Sequence, residues 1–334
     1  MTPNDPNTRL LLVDIDRALL RTELARETFW AALGHDFRAT LRAMSAPPAA
    51  RQAAFAHIAT PPVDLLPLCP EGAAQVSEAV ANGRTVTLFS EADQSLVDGL
   101  ANRLGLSGRH YGLEPGLRNS RAEVEQALLR QTPAAFDLLP GPLTGSILRG
   151  AATLQIEAVC QSALASLVKE LRPHQWAKNL LLLLPLIAAQ MLFSPALFSV
   201  LVAMLAFSAG ASAIYVVNDL LDLEADRLHP QKRFRPIAAG TLPIGQAMRV
   251  SIAAAVTAVV LAALVAPMVA GLVVTYMLIS LVYSLRLKSL RWIDLGALVV
   301  LYVLRVGAGA VAAGVGVSPW LGAAVAFTFR LALP

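Results

Sequence analysis

Charge is scarce in this 334-residue chain. Only 15% of its residues are Asp, Glu, Lys or Arg, against roughly 25% in an ordinary soluble domain. Hydrophobic residues make up 56%, which excludes a disordered chain and a single soluble globule. Cysteine is nearly absent: Cys69 and Cys160 are too few for a disulfide framework, and no Cys/His spacing suits zinc. Lysine is rare, 4 residues beside 23 arginines. The opening stretch MTPNDPNTRLLLVDID has no basic segment followed by a long apolar run, so no signal peptide is expected.

The charge that is present is unevenly placed. Residues 1–170 hold 15 Lys+Arg and 18 Asp+Glu, a net of −3, whereas residues 171–334 hold 12 and 5, a net of +7. The basic surplus sits beside apolar segments, so it reads as membrane topology rather than nucleic-acid binding. The organisation expected is a soluble unit over 1–145, a helical linker over 146–170 and a membrane part over 171–334.

Beyond Leu171 the apolar runs approach the ~20 residues that cross a bilayer as helix. Spans are expected near 177–193, 197–217, 246–266, 269–284 and 293–316, with a sixth begun at Pro319. The connections after the second and fourth spans carry Arg227, Lys232, Arg233, Arg235, Arg286, Lys288 and Arg291, and the approach to the first adds Arg172 and Lys178. The other connections carry no Lys or Arg. The positive-inside rule then puts the N-terminal half and both basic loops in the cytoplasm, at the inner membrane of a bacterial-type cell. Trp176, between Arg172 and Lys178, suits a short segment at headgroup level, as a membrane anchor or a substrate contact.

All five acids of the membrane half lie at cytoplasmic span ends. In Asn218-Asp219-x-x-Asp222-x-x-x-Asp226, one continuous helix would bring the three aspartates to one face. Three carboxylates on a stripe repel one another and need a cation. Mg²⁺ takes oxygen ligands and commonly bridges carboxylates to substrate phosphates. Lys232, Arg233 and Arg235 follow within a few residues and are candidates for the outer phosphate oxygens. A hydrated helix end is the plainer reading. The second cluster comprises Tyr283, Arg286, Lys288, Arg291 and Asp294, the other wall of a phosphate site. Arg305 lies eleven residues past Asp294, on the same side and roughly 16 Å deeper. An ionisable residue inside a span faces a polar cavity or a partner. Gly307 and Gly309 beside it allow close helix packing.

The aspartate motif with its trailing basic residues resembles the first motif of the UbiA-type membrane prenyltransferases. The run Arg172-Pro-His-Gln-Trp-Ala-Lys178-Asn179 is similar to the decaprenyl-phosphate phosphoribosyltransferase branch, as is Tyr283-Ser-Leu-Arg-Leu-Lys288…Asp294…Arg305-Val-Gly-Ala-Gly309. The resemblance covers about 171–330. It implies an all-α multi-span domain that holds Mg²⁺ and a diphosphate donor and acts on a polyprenyl lipid substrate in the bilayer. By the same resemblance Asp219, Asp222 and Asp226 bind metal–diphosphate with Asn218 in support, and Asp294 is the second-motif acid. Lys178, Lys232, Arg233, Arg235, Tyr283, Lys288 and Arg305 then face substrate. Members that prenylate aromatic acids pair the second-motif acid with another four residues on; here Leu298 stands at that position, which favours phosphoribosyl transfer. The family has about nine spans, so five and part of a sixth suggest a truncated or frameshifted chain.

In the N-terminal half, Leu10-Leu-Leu-Val-Asp14-Ile-Asp16 is an apolar strand ending in two acids, and Thr85-Val-Thr-Leu-Phe-Ser90 is a strand ending in a hydroxyl. They resemble the first two motifs of haloacid-dehalogenase-like phosphatases on an α/β fold, with ligands expected at strand carboxyl ends. Helices are expected near 22–33, 71–82 and 93–104. No Lys precedes Lys169, and no Gly-Asp-x-x-x-Asp element completes a metal site. Asp14, Asp16 and Ser90 therefore read as a vestigial phosphatase site in an incomplete domain. Three functions stay open on sequence: phosphoribosyl transfer to a polyprenyl phosphate, prenyl transfer to an aromatic acceptor, and a membrane-anchored pseudoenzyme.

Overall fold

A computed structural model describes residues 9–114, 120–132, 135–156, 164–287 and 291–316. The chain divides into two units: 1–163 with 221–245, and 164–220 with 246–334.

The first unit is built on a parallel sheet. Strand β1 (Leu10–Asp14) enters a loop in which Arg17 adopts φ 63°. Helices α1 (Leu24–His35), α2 (Phe37–Met44), α3 (Pro48–Ile58) and α4 (Pro70–Ala81) follow. Then come β2 (Val86–Asp93), α5 (Gln94–Arg103), β3 (Tyr111–Leu113), α6 (Arg121–Gln131), β4 (Phe136–Leu139), α7 (Ser146–Ala151) and β5 (Leu154–Gln155). Strand order is β3-β2-β1-β4-β5, with all pairs parallel. β1 is central and buried on both faces. Leu11 and Val13 pack in one cluster with Leu88, Val97 and Leu100, while Leu12 packs in another with Phe89, Leu128 and Leu138. A strand covered on both sides reads as an unbroken apolar run, which is why Leu10 to Val13 was legible. Residues 146–156 are not linker: α7 and β5 complete the sheet, β5 pairing Leu154 with Asp137. The stretches 45–70 and 131–145, which carry no sequence signal, supply α3 and β4.

The second unit begins with α8 (Leu164–Glu170). The expected first span is not a membrane-length helix. Pro173–Leu183 winds as 3₁₀ helix, then α9 (Leu184–Ala188) starts with Pro185 in its first turn. This segment is fastened to α10 (Ala196–Leu221) by polar bonds: Trp176 Nε1 donates to Ser212 Oγ at 3.0 Å, and Asn179 Nδ2 to Ser208 Oγ at 2.8 Å. After α10, residues 221–245 belong to the first unit and contain α11 (Leu223–Leu228). The helical unit resumes with α12 (Ile244–Val265), α13 (Pro267–Val282) and α14 (Arg291–Ala313).

Among the described residues three helices are long and apolar enough to cross a membrane, 196–221, 244–265 and 267–285, and Leu298–Ala313 is a shorter apolar helix. On α12 the side chains of Ile252, Val256, Val260 and Leu264 are exposed. Their four-residue spacing makes one apolar stripe, costly in water and native against lipid tails. Inside the unit, Gly309 brings α14 against the carbonyl of Leu182 so closely that a Cβ would collide with it. Gly307 meets nothing within 4 Å, so only one of the two glycines is needed for packing. The chain is an integral membrane protein.

Candidate functional site

The helical unit holds a cavity of about 170 Å³ with a largely apolar lining, into which polar groups of Lys178, Tyr215, Asn218, Tyr276, Tyr283 and Arg305 are set. Arg305 is 4% exposed. A guanidinium withdrawn from water must have its donors met, and three elements meet them. Its Nε donates to Asn179 Oδ1 at 2.9 Å, its Nη2 to the Tyr276 hydroxyl at 2.9 Å, and its Nη1 to the Leu301 carbonyl at 3.0 Å. The rings of Tyr276 and Tyr302 lie 4.7 and 5.5 Å from the guanidinium carbon, within cation–π range. The bonds orient the cation toward the cavity without neutralising it. Leu298, the position of the missing second-motif acid, lines the same cavity.

Asn218 lies at the end of α10, and its Oδ1 has no hydrogen-bond partner among the described residues. Asp219 beside it is 4% exposed and pairs with the Arg172 guanidinium, which also lies 5.3 Å from the Tyr215 ring centroid. Both residues offer oxygen donors of the kind Mg²⁺ takes.

The expected single carboxylate stripe is interrupted. α10 ends at Leu221, Asp222 has φ −100° and ψ 15°, and α11 starts afresh at Leu223. Aspartate readily occupies such helix boundaries, where its short polar side chain competes with the helical backbone. Asp219 belongs to the helical unit, and Asp222 and Asp226 belong to the α/β unit. Asp226 is buried, accepting from Arg235 Nη1 at 2.6 Å with Lys232 Nζ at 4.0 Å. Arg233 instead lies over Phe234, 4.8 Å from its centroid. Among the described residues no group of three or more His, Cys, Asp or Glu is gathered as for a metal. Lys288 and the side chains of Arg286, Arg291 and Asp294 lie outside the described residues.

The α/β unit brings its predicted residues together at the carboxyl end of the sheet. Asp14 and Asp16 are 0% and 1% exposed, and the groups around them form a closed network. Asp14 accepts from Arg121, from Thr144 Oγ1 and from the Asp16 amide, the last at 3.0 Å. Asp16 accepts from the Leu24 amide and Ser90 Oγ, each at 2.8 Å, and from Arg121 Nη1 at 3.3 Å. Gly141 lies so close to the Asp16 carbonyl that a Cβ would collide with it. Burial pushes the Asp14 carboxyl up to about 7, with Arg121 opposing and Asp16 reinforcing the shift. Burial also raises Glu91, again reinforced by Asp16. Asp137, further down β4, is held by Arg84 at 2.6 Å and Arg9 at 3.6 Å. Arg121 and Thr144 were missed in the sequence; Ser120 capping the Glu123 amide was the local signal for the helix that begins with Arg121.

Comparison with known proteins bears on the helical half. Residues 180–333 match the UbiA prenyltransferase family. The Decaprenyl-phosphate phosphoribosyltransferase of Corynebacterium glutamicum is 43% identical over 166 residues, 48% of this chain and 50% of that protein. The protein of the same name from Mycobacterium tuberculosis is 38% identical over 168 residues, 49% of this chain and 56% of that one. The chain thus spans about half the length of these relatives. Uncharacterized protein y4nM of Sinorhizobium fredii is 29% identical over 352 residues, covering 97% of this chain and 68% of its own length. The C-terminal half of the chain, through residues 180–333, thus carries the likeness to the UbiA prenyltransferase family.

Proposed function

We propose that the helical domain transfers a phosphoribosyl group from phosphoribosyl diphosphate to a polyprenyl monophosphate at the cytoplasmic face of the inner membrane. The reading is carried by the buried cation beside a largely apolar cavity within a lipid-facing unit, where Arg305 is held and Lys178 and Asn218 share the lining. An anionic headgroup on an apolar tail matches that environment. Leu298 in the lining supports the ribosyl donor over an aromatic acid, and so does the likeness to the two phosphoribosyltransferases. Asn218 and Asp219 would hold Mg²⁺ from α10, with Asp222 and Asp226 drawn in through the sequence motif and Asp294 as the second-motif acid. Bound Mg²⁺ would offset charge on the departing diphosphate. In the transfer, a lipid phosphate oxygen bonds to ribose carbon 1 as the bond from that carbon to the diphosphate oxygen breaks, and its electron pair leaves with pyrophosphate. Lys232, Arg233, Arg235, Tyr283 and Lys288 are assigned to substrate phosphates.

The α/β unit we read as a haloacid-dehalogenase-like fold whose centre has closed. Arg121 supplies to Asp14 and Asp16 the positive charge that a phosphoaspartate mechanism would require from a metal.

The test is substrate trial with purified protein in lipid. Mg²⁺-dependent release of pyrophosphate with phosphoribosyl diphosphate and decaprenyl phosphate is expected, and at least a 100-fold loss in Asp219→Ala. Turnover only with a polyprenyl diphosphate and an aromatic acid would replace this reading with prenyl transfer. No turnover with either donor would leave a pseudoenzyme.

A further inference from the structure

Residues 221–245 join two membrane helices and carry most of the motif's charge, yet they are folded into the α/β unit. The fastening is specific. Arg227, next to Asp226 on the six-residue α11, makes a two-pronged ion pair with Glu27 of α1: Nη2 to Oε1 at 2.6 Å and Nη1 to Oε2 at 3.1 Å. Both side chains are buried, 7% and 2% exposed. The remaining direction of the guanidinium, Nε, donates to the Ala238 carbonyl at 3.1 Å, so one arginine ties the start of the segment both to its own end and to α1. Two glycines seat the rest. Gly240, at φ 71°, leaves its missing Cβ position 2.6 Å from Arg21 Cβ and 3.0 Å from Pro67. The Gly245 amide faces Glu23 Oε2 at 3.4 Å.

A connector that merely spans two helices has no need of a desolvated, bidentate pair 200 residues apart in sequence. Such pairs are costly to bury, and removing one partner leaves an uncompensated buried charge. Arg227 pairs with Glu27, while its neighbour Asp226 pairs with Arg235 and has Lys232 at 4.0 Å.

We infer that the α/β unit serves as a positioning platform for the charged connector, with Glu27 and Arg227 as its positioning residues. The platform itself stands on packing and hydrogen bonds; its functional consequence rests on the metal-binding role proposed above for Asp226 and the phosphate-binding role proposed for Lys232 and Arg235. In that role the sheet domain contributes no chemistry. It fixes the backbone on which the donor's diphosphate is received.

The experiment uses the full chain in lipid nanodiscs, with two readouts. Hydrogen exchange across 223–242 reports the clamp, and titration with magnesium pyrophosphate reports the site. Glu27→Gln is expected to speed exchange in that segment at least tenfold while β1 amides keep wild-type rates, and to weaken pyrophosphate binding about tenfold. The exchanged pair, Glu27→Arg with Arg227→Glu, should recover more than half of both losses, a rescue that general destabilisation does not give. If Glu27→Gln does not fold, Arg227→Lys keeps the charge but loses the fork and should show the same exchange pattern. Wild-type exchange over 223–242 in the variant that folds would overturn the platform. So would an exchanged pair no better than either single variant. If wild-type protein binds no pyrophosphate while the exchange pattern holds, the clamp stands and the phosphate-binding reading falls.

Discussion

Asp14 offers the sharpest physical test of the α/β unit. Its carboxyl is wholly buried and shifted from the ordinary 3.8 up to about 7, burial being the largest cause. The folded state therefore holds a proton that the unfolded chain releases near pH 4. Between those limits the native state binds more protons, so stability falls as pH rises from about 4 to about 7 and is level above. At about 1.36 kcal/mol per pH unit, the difference amounts to about 4 kcal/mol in this one group. Asp14→Asn imitates the protonated acid at every pH. Relative to wild type it should gain up to about 4 kcal/mol between pH 4 and pH 8, all of it inside the titration window. Native-state hydrogen exchange at Leu11, Leu12 and Val13, measured in the full chain at pH 5 and pH 8, reads the opening energy of the sheet directly. A difference between variant and wild type that is the same at both pH values would refute the reasoning. A wild type favoured at pH 8 would reverse it, and would mean that Arg121 outweighs burial.

The same centre predicts that Arg121→Met leaves two buried carboxylates without their cation, at a cost of about 3–5 kcal/mol, smaller at pH 5 than at pH 8 because Asp14 is then protonated. The same exchange measurement checks it. In the helical unit, Asn179→Ala removes the acceptor for Arg305 Nε. It should raise the KM for the lipid phosphate roughly tenfold with kcat changed less, and a kcat loss at constant KM would contradict the orienting role.

How much of this was legible in the residues differs by element. The long apolar helices were, because a bilayer's thickness demands some twenty consecutive apolar residues and Ala196–Leu221 supplies them. β1 was, because a strand buried on both faces reads as an unbroken apolar run, as Leu10 to Val13 does. The 3₁₀ winding of Pro173–Leu183 was not. Its composition suits a span, and only the bonds from Trp176 and Asn179 to two serines of α10 reveal that it is anchored along its length. The aspartate stripe was half legible. Its spacing fits one helix, but the break at Asp222 depends on where residues 221–245 fold.

By itself the sequence determined the division into a polar sheet domain and a lipid-facing bundle, the charged motif at span ends and the buried arginine. Hydrophobic run length, period and charge sign are local properties, written residue by residue. The tertiary structure alone decided who partners whom. Arg121 meets Asp14 across 107 positions, Arg305 meets Asn179 across 126, and Arg227 turns from its neighbour Asp226 to Glu27. A guanidinium can satisfy any carboxylate or carbonyl within reach. Which one it finds is set by the packing of distant segments, and no spacing along the chain encodes that.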